Sequence, residues 1–208
     1  MTPLATIRLF RKLNNGTALG EFQKTLAENI HVKKYFLDEL MDHPVISRIF
    51  STSRIERGNA EQALLRAMIL MRHHDAGIEL KGLRPPDLKS YFLDIEALEG
   101  TEEEKEKIVG CWIASLTEYK DKIKKYLNWL HVESSNLMTR ADYVSTFSIY
   151  FAYKESLDEE SFRVLFKTLQ EIPASSIISG SGADYSSSNV LKYIDYIHTL
   201  LHGGPSFT

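Results

Sequence analysis

Apolar residues recur at intervals of three and four along most of the 208-residue chain. This spacing places them on one face of an α-helix, because the helix completes a turn in about 3.6 residues. The longest series opens at Thr101 and carries apolar side chains at Ile108, Trp112, Leu116, Tyr119, Ile123, Tyr126 and Leu130. The pattern therefore predicts an all-α fold, an irregular multi-helix bundle of about eight helices.

Short polar motifs indicate where the helices begin. Thr2, Asn59 and Thr139 stand at N-cap positions, and capping boxes are predicted at residues 101–104 and 156–159. Residues 51–58 are polar and indicate a loop. Residues 144–151 are rich in β-branched and aromatic residues, as strands are, but the capping signals on either side favour a buried helix.

A chain of this length buries enough apolar surface to fold without a disulfide or a metal. We expect a single helical domain over residues 1–208. It comprises N-terminal helices over 1–58, a central bundle over 59–173, a Ser- and Gly-rich loop over 174–188, and a C-terminal helix with a tail over 189–208. Within the C-terminal helix, the apolar spacing places Leu191 and Leu200 on the buried face.

Composition narrows the class of protein. The net charge of −3 argues against a basic field over the whole surface, although it leaves room for a local basic patch. Cys111 is the single cysteine, so no internal disulfide forms, which fits a reducing cytoplasm. No apolar run reaches the roughly 18 residues of a membrane span. These features predict a cytoplasmic protein with no membrane association.

A basic segment near the N-terminus is the first candidate site. Arg8 and Arg11 lie on the predicted first helix, which runs into a polar turn with Asn14, Asn15 and Thr17. Such a helix and turn can hold a phosphate through charge and backbone N–H groups. A solvated helix face followed by an ordinary turn explains the same residues.

Charged residues elsewhere have structural interpretations beside functional ones. Arg66 lies next to Leu64 and Leu65, so we expect its stem to be buried and its guanidinium to be paired, for example with Glu61 or Asp94. The lysines of the long helix indicate a solvated face, with a DNA-backbone contact as the alternative; they are Lys120, Lys122, Lys124 and Lys125.

Metal-capable side chains occur in two places, His73-His74-Asp75 and the pair His198 and His202. Neither place has the accompanying acid or third ligand of an HExxH site, and Cys111 has no second cysteine in a CxxC motif. We therefore expect no metal site and no intrinsic cofactor. Ser, His and Asp occur without a nucleophile-elbow motif, so no residue is assigned as catalytic, although an autonomous hydrolase remains an alternative.

Three segments occur in an order that resembles one family. Phe10-Arg-Lys-Leu13-Asn-Asn-Gly-Thr17-Ala-Leu, followed by Glu21, is similar to the F-x-R-L-N-x-G-T-x-L-x-x-x-E segment of the GmrSD-type domain family. Residues 57–66, with Arg57, Glu61 and Arg66, resemble a helix of that family, and residues 88–94 resemble its "fLd" helix. These proteins serve in bacterial phage defence and combine a ParB/sulfiredoxin-like N-terminal half with a helical second half.

In that family, catalysis depends on a D-G-Q-Q-R motif, which this sequence does not contain. The resemblance therefore implies a non-catalytic helical module of a restriction or phage-defence protein. It would complete or regulate a nucleotide- or DNA-binding site supplied by a separately encoded N-terminal half, against which residues 1–58 would lie. A nucleotide would bind only together with that half. The resemblance assigns ligand or phosphate contacts to Arg8, Arg11, Asn14, Asn15 and Thr17, and structural motif positions to Phe10, Leu13, Glu21, Arg57, Glu61 and Arg66.

The alternative is a stand-alone interaction or regulatory protein that has lost the ancestral chemistry, and a homo-oligomer is compatible with it. The first helix distinguishes the two hypotheses. If Leu4, Ile7 and Phe10 form an exposed stripe, a partner covers them. If they are buried within this chain, no missing half is needed there.

Overall fold

The computed structural model describes residues 2–6, 21–130, 138, 140–172 and 185–203. Within these ranges the chain is helical and contains no strand, which confirms the all-α prediction. A short helical segment covers residues 3–6, a π-helix covers Lys33–Leu37, and a 3₁₀ turn covers Lys89–Tyr91. The α-helices are α1 (Glu21–Glu28), α2 (Ile30–Val32), α3 (Asp38–Met41), α4 (Ile46–Ile49), α5 (Thr52–Glu56), α6 (Asn59–Ala76), α7 (Pro85–Leu88), α8 (Glu102–Trp129), α9 (Ala141–Lys154), α10 (Glu159–Glu171) and α11 (Ser187–His202).

The pair α6 and α9 forms the centre of the bundle. Every residue from Gln62 to Met71 and from Tyr143 to Ala152 is buried, so neighbours enclose both helices on all sides. The Thr146 hydroxyl also donates a hydrogen bond to the carbonyl oxygen of Ala63 at 3.1 Å. The strand-like stretch 144–151 is therefore a buried helix, as predicted.

The long helix α8 begins at the capping box that the sequence predicts. The Glu104 backbone N–H donates to Thr101 Oγ1 at 3.3 Å, and the Thr101 N–H donates to Glu104 Oε2 at 2.7 Å. The helix packs along the π-helix and against α10. Its buried face matches the predicted one except at the first position, where Val109 is buried and Ile108 is 41% exposed.

Contacts with distant segments explain why Val109, rather than Ile108, is buried. Val109 packs in a small cluster with Leu4 and Ile95, apart from the main core. The helical segment at residues 3–6 is held there by its own N-cap, since the Ala5 N–H donates to Thr2 Oγ1 at 3.3 Å. Leu4 is 1% exposed, so this side chain of the first helix is buried within the chain itself. Ile7 and Phe10 lie outside the described residues.

Other boundaries differ from the sequence predictions. Residues 52–56 of the expected loop form α5. The predicted N-cap at Asn59 is wrong, because Asn59 is the first residue of α6 and Gly58, with a positive φ of 76°, occupies the N-cap position. The predicted capping box at 156–159 is wrong, because Asp158 is the N-cap of α10 and accepts from the Ser161 N–H at 2.8 Å. In α11, Leu191 and Leu200 are exposed and Tyr193 is fully buried, so the buried face is rotated from the predicted one. Thr139 lies outside the described ranges.

No helix within the described part of the chain combines the length and the apolar character that crossing a bilayer requires.

Replacing Val109 with Ala is expected to lower the free energy of unfolding by about 2 kcal/mol, because buried methyl groups are lost and a space remains. The matched change at the preceding residue, Ile108→Ala, is expected to alter it by less than about 0.5 kcal/mol, because Ile108 is exposed. Urea denaturation of both variants measures the two values. Equal losses at the two positions would contradict the observed register of α8.

Candidate functional site

A cavity of about 310 Å³ lies between the junction of α1 with α2 and the segment that follows α7. Its size is at the lower end of the range for small-molecule sites. Its lining combines apolar side chains with carboxylate, amide, imidazole, hydroxyl and ammonium groups; the residues are Glu28, Asn29, His31, Lys89, Ser90, Phe92, Leu93, Asp94 and Ile95.

The residues at the break between α1 and α2 form one wall of this cavity. The Asn29 side-chain amide donates to the Thr25 carbonyl oxygen at 2.8 Å, so Asn29 closes the end of α1 with its own side chain. The Asn29 carbonyl oxygen then accepts from the Val32 N–H at 2.8 Å, which starts the next turn. His31 follows this break and is 1% exposed, with its ring edge-on to Trp112 at 6.4 Å between centroids. The interruption of the helix at Asn29 thus places an imidazole at the cavity.

The other wall is the segment after α7, and its polar groups already have partners within the chain. Lys89 Nζ contacts Glu28 Oε2 at 2.5 Å, which joins the two walls. The Ser90 hydroxyl donates to the Asp87 carbonyl oxygen at 2.7 Å, and Asp94 Oδ1 accepts from the Glu96 N–H at 3.1 Å.

A half-buried arginine fixes this second wall to α6. Arg72 Nη1 donates to the Tyr91 carbonyl oxygen at 3.0 Å, and its guanidinium lies over the Trp112 ring at 4.5 Å. Burial lowers the pKa of Arg72, although the group stays charged at neutral pH. The Tyr91 hydroxyl donates to the Gly82 carbonyl oxygen at 2.9 Å, and burial raises the pKa of this phenol. Arg72 and Tyr91 therefore hold this wall of the cavity in position.

Arg66 is buried and paired, as expected, but with other partners than Glu61 or Asp94. Its Nε donates to the Leu83 carbonyl oxygen at 2.8 Å, and its Nη2 donates to Gln62 Oε1 at 2.9 Å. Its guanidinium also stacks on the Tyr185 ring at 3.7 Å and lies 3.8 Å from Asp142 Oδ2. The sequence could not identify these partners because, apart from Gln62, they come from distant segments.

The other two motif residues of segment 57–66, Arg57 and Glu61, have different environments from Arg66. Arg57 is exposed at the turn between α5 and α6. Glu61 is half-buried, and one of its carboxylate oxygens has no hydrogen-bond partner among the described residues. Burial raises the pKa of Glu61 above its ordinary value. The three motif positions thus do not converge on one site.

The predicted phosphate-binding residues fall outside the part of the chain that the structure describes; they are Arg8, Arg11, Asn14, Asn15 and Thr17, and the motif residues Phe10 and Leu13 lie in the same segment. Glu21 is the first residue of α1.

Three of the four lysines singled out on α8 contact carboxylates of this chain, whereas Lys125 lies over the rings of Tyr126 and Trp129. Lys120 and Lys124 both contact Glu39 of α3, and their hydrogen bonds, with a smaller contribution from their charge, lower the pKa of Glu39 to about 2. Lys122 contacts Glu118 at 2.7 Å. These pairs offset the positive charge of the helix, so they favour the solvated-face interpretation over a DNA contact.

A second polar cluster surrounds Asp75 at the end of α6, and it joins the metal-capable His74 and Asp75 of the sequence to two tyrosines from distant helices. Asp75 accepts hydrogen bonds from the hydroxyls of Tyr119 and Tyr153, each at 2.8 Å, and lies 3.1 Å from His74 Nδ1. Burial disfavours the Asp75 charge, but the hydrogen bonds from His74, Tyr153 and Tyr119 outweigh it and lower the pKa of this carboxyl. The cluster ties α6, α8 and α9 together, so we interpret it as structural.

Replacing Arg66 with Ala is expected to lower the free energy of unfolding by about 3 kcal/mol, because buried acceptors lose their donor. Arg57→Ala serves as the matched control and is expected to change stability by less than about 0.5 kcal/mol, because Arg57 is exposed. Chemical denaturation measures both. A loss at Arg66 no larger than at Arg57 would contradict the described network.

Asp75→Asn is expected to cost about 1 kcal/mol of unfolding free energy at neutral pH, because a neutral amide is a weaker acceptor for the tyrosine hydroxyls. Since the pKa of Asp75 is lowered by folding, this stabilisation is complete above the ordinary value of 3.8 and is lost as the pH falls through the folded value. The measurement is urea denaturation of wild type and variant from neutral to acidic pH. A difference that persists unchanged in acid would show that the Asp75 charge is not responsible.

No protein-family model matches the chain, and no curated protein or solved structure matches it. The resemblance to the GmrSD-type family therefore rests on the three motif segments alone.

Proposed function

We propose that the chain is a helical, non-catalytic module of a GmrSD-like defence protein, and that it forms part of a nucleotide-binding site. The cavity beside His31 is the observation that carries the proposal. Its volume of about 310 Å³ suits a heterocyclic base better than a whole nucleotide, so the phosphates would lie outside it. A base needs an apolar or aromatic surface for its faces and polar groups for its edge.

The lining supplies both kinds of group. Phe92, Leu93 and Ile95 offer the apolar surface, while Asn29 and Asp94 offer an amide and a carboxylate for the edge of a base. In protein–DNA complexes, amide and carboxylate side chains recognise bases by the pattern of hydrogen-bond donors and acceptors on the base edge.

The positions of Leu4 and α1 beside the cavity support the proposal that the N-terminal basic residues contact the phosphates. Leu4 packs against Ile95, which lines the cavity. The chain returns in α1, whose last residue, Glu28, lines the cavity from the other side. Arg8 and Arg11 belong to the intervening sequence, so we propose them as the phosphate contacts, with Asn14, Asn15 and Thr17.

The chemistry of the lining supports binding rather than catalysis. Ser90 is the hydroxyl of the lining, and it donates its proton to the backbone carbonyl of Asp87 rather than to a base. A serine in this state is not activated as a nucleophile. The groups around the cavity are therefore suited to holding a ligand that another chain acts upon.

One observation favours the second candidate function, a stand-alone interaction or regulatory protein. Leu4 is buried against Ile95 and Val109 of the same chain, so at this position the first helix offers no apolar surface to a partner half. Such a protein would use the cavity as its own ligand site.

Titration of the purified chain with ATP, GTP and UTP tests the proposal. Trp112, in contact with His31, reports on the cavity by fluorescence once Trp129 is replaced with Phe. We expect saturable binding of at least one nucleotide below about 1 mM, and no release of inorganic phosphate on incubation. Ser90→Phe, which places a ring at the cavity, should abolish binding, whereas Ser53→Phe on exposed α5 should not.

The outcomes separate the parts of the proposal. Binding by the isolated chain supports a self-sufficient site, and binding that requires an added N-terminal half supports the module hypothesis. Absence of binding in both conditions, or equal affinity of the Ser90 and Ser53 variants, contradicts the cavity as the site. Sustained phosphate release contradicts the non-catalytic assignment.

A further inference from the structure

The end of α11 and the turn after α9 bring together three metal-capable side chains. His198 and His202 lie four residues apart on α11, with ring centroids 4.4 Å apart. Glu155 follows the last residue of α9, and its Oε2 lies 3.3 Å from His202 Nε2. One ligand atom of each residue lies within 4.8 Å of the others. No third ligand for this histidine pair is evident in the sequence, but the fold supplies one.

These separations suit a small divalent ion. A tetrahedral zinc with ligand bonds of about 2.0–2.2 Å keeps its ligand atoms roughly 3.4 Å apart. The contact between His202 and Glu155 already has this length, at 3.3 Å. His198 and His202 are exposed, so rotation of their side chains brings the longest separation, 4.8 Å at most, to the required value without moving the backbone.

The backbone that carries these ligands is well anchored. Val190, Tyr193 and Ile197 hold α11 against the core, and each is fully buried. The Glu155 N–H donates to the Phe151 carbonyl oxygen at 2.9 Å, which fixes the start of the turn. Lys154 Nζ lies 3.3 Å from Glu155 Oε1, so the other carboxylate oxygen, Oε2, is the one that faces the histidines. Ligands on anchored elements lose little freedom when a metal binds.

We propose that Glu155, His198 and His202 form a binding site for a divalent transition metal of the zinc class. Two imidazole nitrogens and one carboxylate oxygen are a donor set typical of zinc, and they leave a fourth position for water or an incoming ligand. Calcium and magnesium are disfavoured because they prefer oxygen ligands alone. Bound metal would join the C-terminal helix to the turn between α9 and α10.

Isothermal titration with ZnCl₂ tests the site, using the full chain without a histidine tag and with Cys111→Ser to remove the exposed thiol. We expect one zinc per chain. His198→Gln, His202→Gln and Glu155→Gln should each weaken zinc binding at least about tenfold, because each removes a ligand. His74→Gln is the matched control, since His74 is also an exposed histidine beside a carboxylate, and it should leave zinc binding unchanged.

Thermal unfolding provides a second readout. Because the ligands come from two separate elements, zinc binds the folded chain preferentially and should raise its Tm. The Glu155→Gln variant, altered at a side chain on the surface, should fold normally and lose this Tm shift. Absence of zinc binding, or affinity and Tm shifts that are unaffected by the three ligand substitutions, would overturn the proposal. Binding lost in the His74 variant instead would place the metal elsewhere and would also overturn it.

Discussion

The buried guanidinium of Arg66 is the constraint on which much of this structure depends. A charge that leaves water must find hydrogen-bond partners inside the protein, and Arg66 finds them in four segments. Its partners belong to α6 itself, to the chain before α7, to the start of α9 and to the residue before the N-cap of α11. The Leu83 N–H also donates to the Tyr185 carbonyl oxygen at 2.7 Å, which connects two of these segments directly. One side chain thus determines where several connections cross the central pair of helices.

The cavity beside His31 depends on the same arrangement. The chain from Ile78 to Ile95 has little regular structure of its own, so it needs side-chain anchors to keep one conformation. Arg66 holds this chain at Leu83, and Arg72, on the same helix, holds it at Tyr91. The cavity wall that follows therefore has a fixed position relative to α6. A binding site supported in this way is preorganised, which lowers the entropic cost of holding a ligand.

Several local features were predictable from the sequence, whereas contacts between distant segments were not. The capping box at Thr101 and the buried helix over 144–151 follow from neighbouring residues, and both are confirmed. The exposure of Ile108 was not predictable, because the burial of Val109 depends on Leu4 and Ile95. Likewise, the sequence placed His198 and His202 on one helical face but could not bring Glu155 to them.

The distance of its partners along the sequence also explains why the partners predicted for Arg66 were wrong. Its position beside apolar residues correctly predicted burial, but most of its partners lie far away in the sequence, and the nearby Glu61 is not among them. The assignment of phosphate contacts to residues between 8 and 17 remains a prediction from the sequence.

Amide hydrogen exchange at Leu83 tests the central role of Arg66 most directly. Arg66→Lys keeps the positive charge but loses the planar fork that joins Leu83 to Gln62. The account predicts that this variant exchanges the Leu83 amide much faster than wild type, while amides in the middle of α8, such as that of Ile123, keep their protection. Unchanged protection at Leu83 in a folded variant would contradict the account.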